Sequence, residues 1–126
     1  MRITAAAVLA GSVVAVVLGM PVRANQPQKV TCLHGDGESA AEAARRKAAV
    51  QFVRAVNTEE NEAMEATGQY QPLATLNLPA TPDGFLLAFG ESVAGYIVVL
   101  KDTYDPCSFA LFSDQEGLIY TGQPLR

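Results

Sequence analysis

The sequence predicts an α+β domain: one long N-terminal helix packed on a four-stranded antiparallel sheet. Three observations predict it. The stretch from Ala40 to Thr67 contains no Pro or Gly and repeats its apolar residues at helical spacing. Four short apolar runs follow, each bounded by turn residues. Two cysteines, Cys32 and Cys107, stand before the helix and just before the last two runs, so a bridge between them ties the start of the domain to its last hairpin. A helix followed by closely spaced strands reads as a meander with the helix on one face.

The first residues read as a targeting segment. Arg2 supplies a positive start, residues 3–18 are apolar or small apart from two hydroxyl residues, Pro21 breaks the run, and Val22-Arg23-Ala24 fits the small-x-small rule for cleavage. The run is shorter than the roughly 20 residues a membrane span needs. The expected division is a signal peptide over 1–24, an N-terminal loop over 25–38 and a single domain over 39–126. No cysteine directly follows the apolar run, which argues against a lipoprotein.

After cleavage the chain keeps 7 basic and 13 acidic residues, a formal charge of 7 − 13 = −6. This argues against nucleic acid and anionic membrane surfaces as partners. It suits a periplasmic or secreted protein with no membrane association once the signal is gone. In that compartment two cysteines are most simply a disulfide. A Cys32–Cys107 bridge closes a loop of roughly 75 residues, for which the chain-entropy model gives about 4–5 kcal/mol. There is no CxxC, hence no support for a redox role.

In chain order, "NQPQKVT" is a polar lead-in and "CLHGDGES" a loop feeding the helix. Ser39 as N-cap and Glu42 as the N3 residue form a capping box, and Gly68 is the expected C′ residue. Ala49, Phe52, Val53, Val56, Ala63 and Met64 form the apolar stripe. The charges run against the helix dipole, with Arg45, Arg46 and Lys47 early and Glu59, Glu60, Glu62 and Glu65 late. A break at Asn57-Thr58 is one way to relieve this. Glu60 falls inside the apolar stripe; the expectation is a helix that has left the core by then, with Glu60 in solvent. The other reading is a buried or interfacial carboxylate paired with an Arg.

The segment "GQYQPLATLNLPATPDG" reads as an ordered loop pinned by Tyr70, Leu73, Leu76 and Leu78, with at most one short helical turn. The strands are "FLLAF" at 85–89, "YIVVL" at 96–100, "FALF" at 109–112 and "LIY" at 118–120. They are apolar on both faces. Phe85, Leu87 and Phe89 share one face and Leu86 and Ala88 the other; Tyr96, Val98 and Leu100 oppose Ile97 and Val99. One helix covers one face, and antiparallel sheets usually keep the second polar. The second face therefore awaits either the 70–80 loop or a partner, and Leu86, Ala88, Ile97 and Val99 are the candidate interface residues.

"FVRAVNTEENEAMEATGQYQPLATL" is similar to the helix exit of type IV pilin-like and pseudopilin proteins. There, an "INTAE"-like stretch is followed by a Gly-Tyr segment and a Leu-rich loop. "GYIVVLKD" and "SFALFSDQEGLIY" resemble the closing strands of the same family, so the likeness spans about Lys47 to Tyr120. The N-terminal pattern departs. Pilins place a Gly and a Phe- or Met-Thr-Leu-x-Glu stretch before their apolar helix, whereas here the apolar run precedes Gly19-Met20 and Pro21 follows. The resemblance implies a pilin-like globular head exported alone, not a filament subunit. The calcium loop of major pseudopilins has no matching motif here.

Candidate chemistry is sparse. His34 is the sole histidine, and "HGDGE" sets His34, Asp36 and Glu38 at alternating positions. In an extended loop these side chains suit a metal or a small acid–base group; alternating polar residues beside glycines are equally ordinary loop composition. Asp102, Asp105 and Asp114 flank the last hairpin, where carboxylates suit either Ca²⁺ or turn formation. No nucleophile motif, phosphate loop or metal-ligand cluster is present, and no cofactor is expected. The leading expectation is a non-enzymatic envelope protein that works through its surface, with a protein partner or by self-association. The alternative is a small exported enzyme or enzyme inhibitor using the loop from His34 to Glu38.

Overall fold

The computed structural model describes residues 30–124; the expected signal peptide and cleavage site lie outside them. Helix α1 spans Ala40–Thr67. A 3₁₀ turn, Leu73–Thr75, follows. The strands are β1 Phe85–Ser92, β2 Gly95–Asp102, β3 Ala110–Asp114 and β4 Tyr120–Gly122. They form one antiparallel sheet in the order β1-β2-β3-β4. The architecture is α+β, as the pattern predicts.

The helix ends where its capping residues place them. The Ser39 hydroxyl accepts from the Glu42 amide at 3.2 Å. Gly68 takes the left-handed conformation, φ 71°, and its amide donates to the Met64 carbonyl. The helix does not break at Asn57-Thr58. Asn57 is held instead from the sheet, as described below, and the helix runs on through both residues.

The strands are longer or later than their apolar cores suggest. β1 continues through Gly90, Glu91 and Ser92, because these pair with Ile97, Tyr96 and Gly95. "GESVAG" shrinks to a two-residue turn at Val93-Ala94, where the Ala94 amide donates to the Ser92 hydroxyl at 3.2 Å. β4 starts at Tyr120, not Leu118, since the Leu118 carbonyl is drawn into the turn by the Ser113 hydroxyl at 2.7 Å. In both hairpins backbone pairing, not side-chain hydropathy, sets the strand limits.

The core lies between α1 and one sheet face. Ala49, Phe52, Val53 and Val56 meet Phe85, Tyr96, Val98, Leu100, Phe109 and Leu111, all buried. Tyr70, Leu73 and Leu78 pack against the same cluster. The 70–80 loop therefore seals the helix side of the sheet and leaves the second face uncovered. The Cys32–Cys107 disulfide is formed, with Cα atoms 5.2 Å apart, and joins the segment before α1 to the β2–β3 connection.

Candidate functional sites on the two sides of the sheet

Alternation along the strands sorts the residues cleanly. On the outer face, register aligns three rows: Leu86, Lys101, Ala110 and Gly122; then Ala88, Val99, Phe112 and Tyr120; then Gly90, Ile97 and Asp114. Leu86 is 62% exposed, Ile97 52%, Tyr120 41% and Phe112 37%. The Phe112 and Tyr120 rings stack with centroids 5.2 Å apart. The four candidate interface residues Leu86, Ala88, Ile97 and Val99 share this face, and Phe112 and Tyr120 extend it. The two aromatics were legible: once the last hairpin is antiparallel, alternation puts them beside Val99.

The inner face ends in polar residues that the helix meets. Asp102 is fully buried at the end of β2. Its Oδ1 accepts from Arg45 Nη2 at 2.9 Å and from the amides of Tyr104 and Asp105, and its Oδ2 lies 2.8 Å from His34 Nε2. His34, 4% exposed, turns its other nitrogen, Nδ1, to Glu38 Oε1 at 2.7 Å. Arg46 clamps both Glu38 oxygens, and Arg45 also reaches Glu42 Oε2 at 2.7 Å. An imidazole that faces a carboxylate at each nitrogen satisfies both only by donating twice, that is, as the cation. Burial opposes that charge, but the hydrogen bonds to Glu38 and Asp102 outweigh it, and the His34 pKa lies above 6.5. The Arg46 and His34 bonds pull Glu38 down to about 2. Burial alone would raise the Asp102 pKa; Arg45, His34 and the Tyr104 amide hold it below the usual range.

The cluster thus balances His34, Arg45 and Arg46 against Glu38, Glu42 and Asp102. His34, Glu42 and Asp102 bring one potential ligand atom each within 4.8 Å of the others, and Arg45 bonds both acids where a cation would sit. The Arg45 guanidinium also lies over the Phe85 and Tyr104 rings, 5.2 and 4.8 Å from their centroids. Gly84 makes room for this: with φ 77°, a Cβ there would come 2.8 Å from Arg45 Nη2 and 2.5 Å from the Tyr104 ring. Asp36, the middle residue of the "HGDGE" pattern, is exposed and takes no part.

The three aspartates of the last hairpin have separate tasks. Asp102 belongs to the charge cluster. Asp105 accepts from the amides of Leu33, Cys107 and Phe109 at 2.9, 3.2 and 3.1 Å, fastening the N-terminal segment beside the disulfide. Asp114 accepts from the Glu116 amide within the β3–β4 turn. Their oxygens serve backbone amides and fixed cations; the turn-forming reading describes Asp105 and Asp114.

At the other end of the sheet, Glu60 is fully buried, contrary to the solvated position expected for it. Among the described residues it is not paired with an Arg either. Oε2 accepts from the Gln71 amide at 3.0 Å, and Oε1 has no hydrogen-bond partner among the described residues. Burial raises its pKa, the Glu91 charge adds to this, and the Gln71 amide opposes it. The helix does not leave the core at Glu60, because the chain after Gly68 folds back over it. Nearby, Tyr96 Oη donates to Asn57 Oδ1 at 2.9 Å, and Asn57 Nδ2 donates to Ser113 Oγ and the Gly117 carbonyl. Burial, followed by the Glu60 charge, pushes Tyr96 up to about 12.

The chain matches no protein-family model, no curated protein and no solved structure. Among the described residues no helix is long and apolar enough to cross a membrane.

Proposed function

We propose that this is an exported, non-enzymatic protein of the cell envelope, a pilin-like head that works as a binding or assembly module through the outer face of its sheet. One observation carries the reading: an apolar face, with Leu86 and Ile97 more than half exposed, on a domain whose helix and connecting loop both lie on the opposite side. Large exposed side chains gathered on one flat surface mark an interaction site more often than scattered ones do. The apolar run over 3–18, the Val22-Arg23-Ala24 site and the disulfide support export. The enzymatic alternative needs His34 as a base. Both its nitrogens are engaged and it is buried, which favours a structural role for the "HGDGE" loop.

The test is a photo-crosslinking residue at position 99 in cells exporting the protein. A crosslinked protein band that disappears with an added Ile97→Asp supports the reading. Crosslinks to water alone, with a folded protein recovered from the envelope, would remove it. Val99→Asp in the otherwise unaltered chain is expected to abolish the association and to leave the thermal unfolding of the monomer intact, because the Val99 side chain points away from the core.

A further inference from the structure

Resting on the reading of the outer face as an interface, we infer that its occupant is a second copy of this chain, packed sheet to sheet about a two-fold axis. The argument comes from the order of the three rows. The middle row, Ala88, Val99, Phe112 and Tyr120, is apolar throughout. The rows on either side differ, and they complement each other. One carries the cation Lys101, the other the anion Asp114, and no other sheet position on this face is charged.

A two-fold axis along the middle row lays each strand over its own counterpart and exchanges the outer rows. Leu86 then comes over Gly90 of the second copy, a large side chain over a residue with none. Lys101 comes over Ile97, whose cross-strand neighbour is Asp114. The aliphatic stem of the lysine covers the isoleucine and its ammonium meets the carboxylate beside it. Symmetry makes this contact twice. Sheets packed face to face lie about 10 Å apart, a gap that a Lys and an Asp span together. A protein with a different surface has no reason to match this antisymmetric order of size and charge; a second copy matches it by construction.

Four strands at about 4.8 Å spacing and five residues at about 3.4 Å rise give a face of about 19 by 17 Å. That is about 650 Å² over both copies, below the roughly 1,200 Å² where standard specific interfaces begin, so the dimer is weak and forms at high local concentration.

The experiment is sedimentation velocity on the purified protein up to about 0.5 mM, where weak pairs of this class associate. The wild type is expected to show a monomer–dimer equilibrium. Lys101→Asp and Asp114→Lys each place two like-charged contacts in the dimer and are expected to weaken it at least about tenfold. An equimolar mixture of the two variants is expected to recover the dimer, because each mixed pair regains both opposite-charge contacts. Asp114 also accepts from the Glu116 amide, so Asp114→Asn is measured as well; it keeps an acceptor in the turn, loses the charge and is expected to weaken the dimer by a smaller factor. A wild type that stays monomeric overturns the inference, as does a dimer indifferent to both charge reversals or a mixture that fails to recover. If the monomer nevertheless crosslinks through position 99 to another protein, the proposed function stands and only the second-copy assignment falls.

Discussion

At the N-terminal end of α1, Arg45 and Arg46 meet Asp102 and Glu38, and His34 lies between the two acids. About four turns later Glu59 and Glu60 meet no cation among the described residues; they accept the amides of Asn77 and Gln71. Both ends place the wrong charge for the helix dipole. At the first end each basic residue answers an acid brought in by another part of the chain. At the second the acids are used as acceptors for amides on either side of the 3₁₀ turn, Gln71 and Asn77, which belong to no helix or strand. An unfavourable dipole term of tenths of a kcal/mol is outweighed at either end by one good charge-assisted hydrogen bond. The two ends differ in what remains. The first is neutral overall, whereas the second keeps one carboxylate oxygen buried without a partner among the described residues.

The comparison is broken most severely at Asp102. Asp102→Ala strands Arg45 and His34 beside a vacated buried site, and is expected to cost about 3–5 kcal/mol. Urea unfolding measures it; a loss below about 1 kcal/mol would mean that water replaces the carboxylate freely. Glu60→Gln goes the opposite way. It keeps an oxygen for the Gln71 amide and removes the buried charge, so a gain of about 1 kcal/mol is expected at pH 7. The gain should vanish by about pH 4, where the carboxyl takes up a proton in the folded and unfolded chains alike. A Gln variant less stable than the wild type at neutral pH would show that the carboxylate is itself required.

The smallest effect sharpens the contrast through pH. The His34 pKa is raised on folding, so its contribution is complete below about 6.5, its unfolded value, and fades as pH rises through the higher folded value. Stability followed by urea titration from pH 6 to pH 9 should decline, and His34→Gln should flatten that decline. Towards acid the two ends part again. Glu38 and Asp102, with lowered pKa values, support the fold above about pH 4 and lose that support as pH falls. Glu60, with a raised pKa, loses its cost earlier, between neutral pH and about pH 4. Asp102→Asn should therefore lose less stability in acid than the wild type, with Glu38 keeping the remainder, whereas Glu60→Gln should decline more steeply between neutral pH and about pH 4 because it lacks the offsetting gain.

Much of this was legible in the chain. Ser39, Glu42 and Gly68 bound the helix, the stripe through Ala49, Phe52, Val53 and Val56 names its buried side, and period-two alternation separates Tyr96, Val98 and Leu100 from Ile97 and Val99. The charge cluster was only half visible. Arg45 and Arg46 stand where the dipole disfavours them, which signals that something answers them, but Asp102 is 57 residues from Arg45 and 68 from His34. Asn57 suggested a break in the helix and proved to be its anchor to Tyr96 and Ser113.

What the sequence determined by itself are the features that short range governs: caps, turn residues, the spacing that gives each element its apolar side, and the pairing of the only two cysteines. The tertiary structure alone decided where the loop after Gly68 lies. By packing Tyr70, Leu73 and Leu78 on the helix side it buries Glu60 and leaves the outer sheet face open. Both outcomes depend on which surface a connection crosses. That choice is made by competition among distant contacts of similar strength, and no local pattern of residues encodes it.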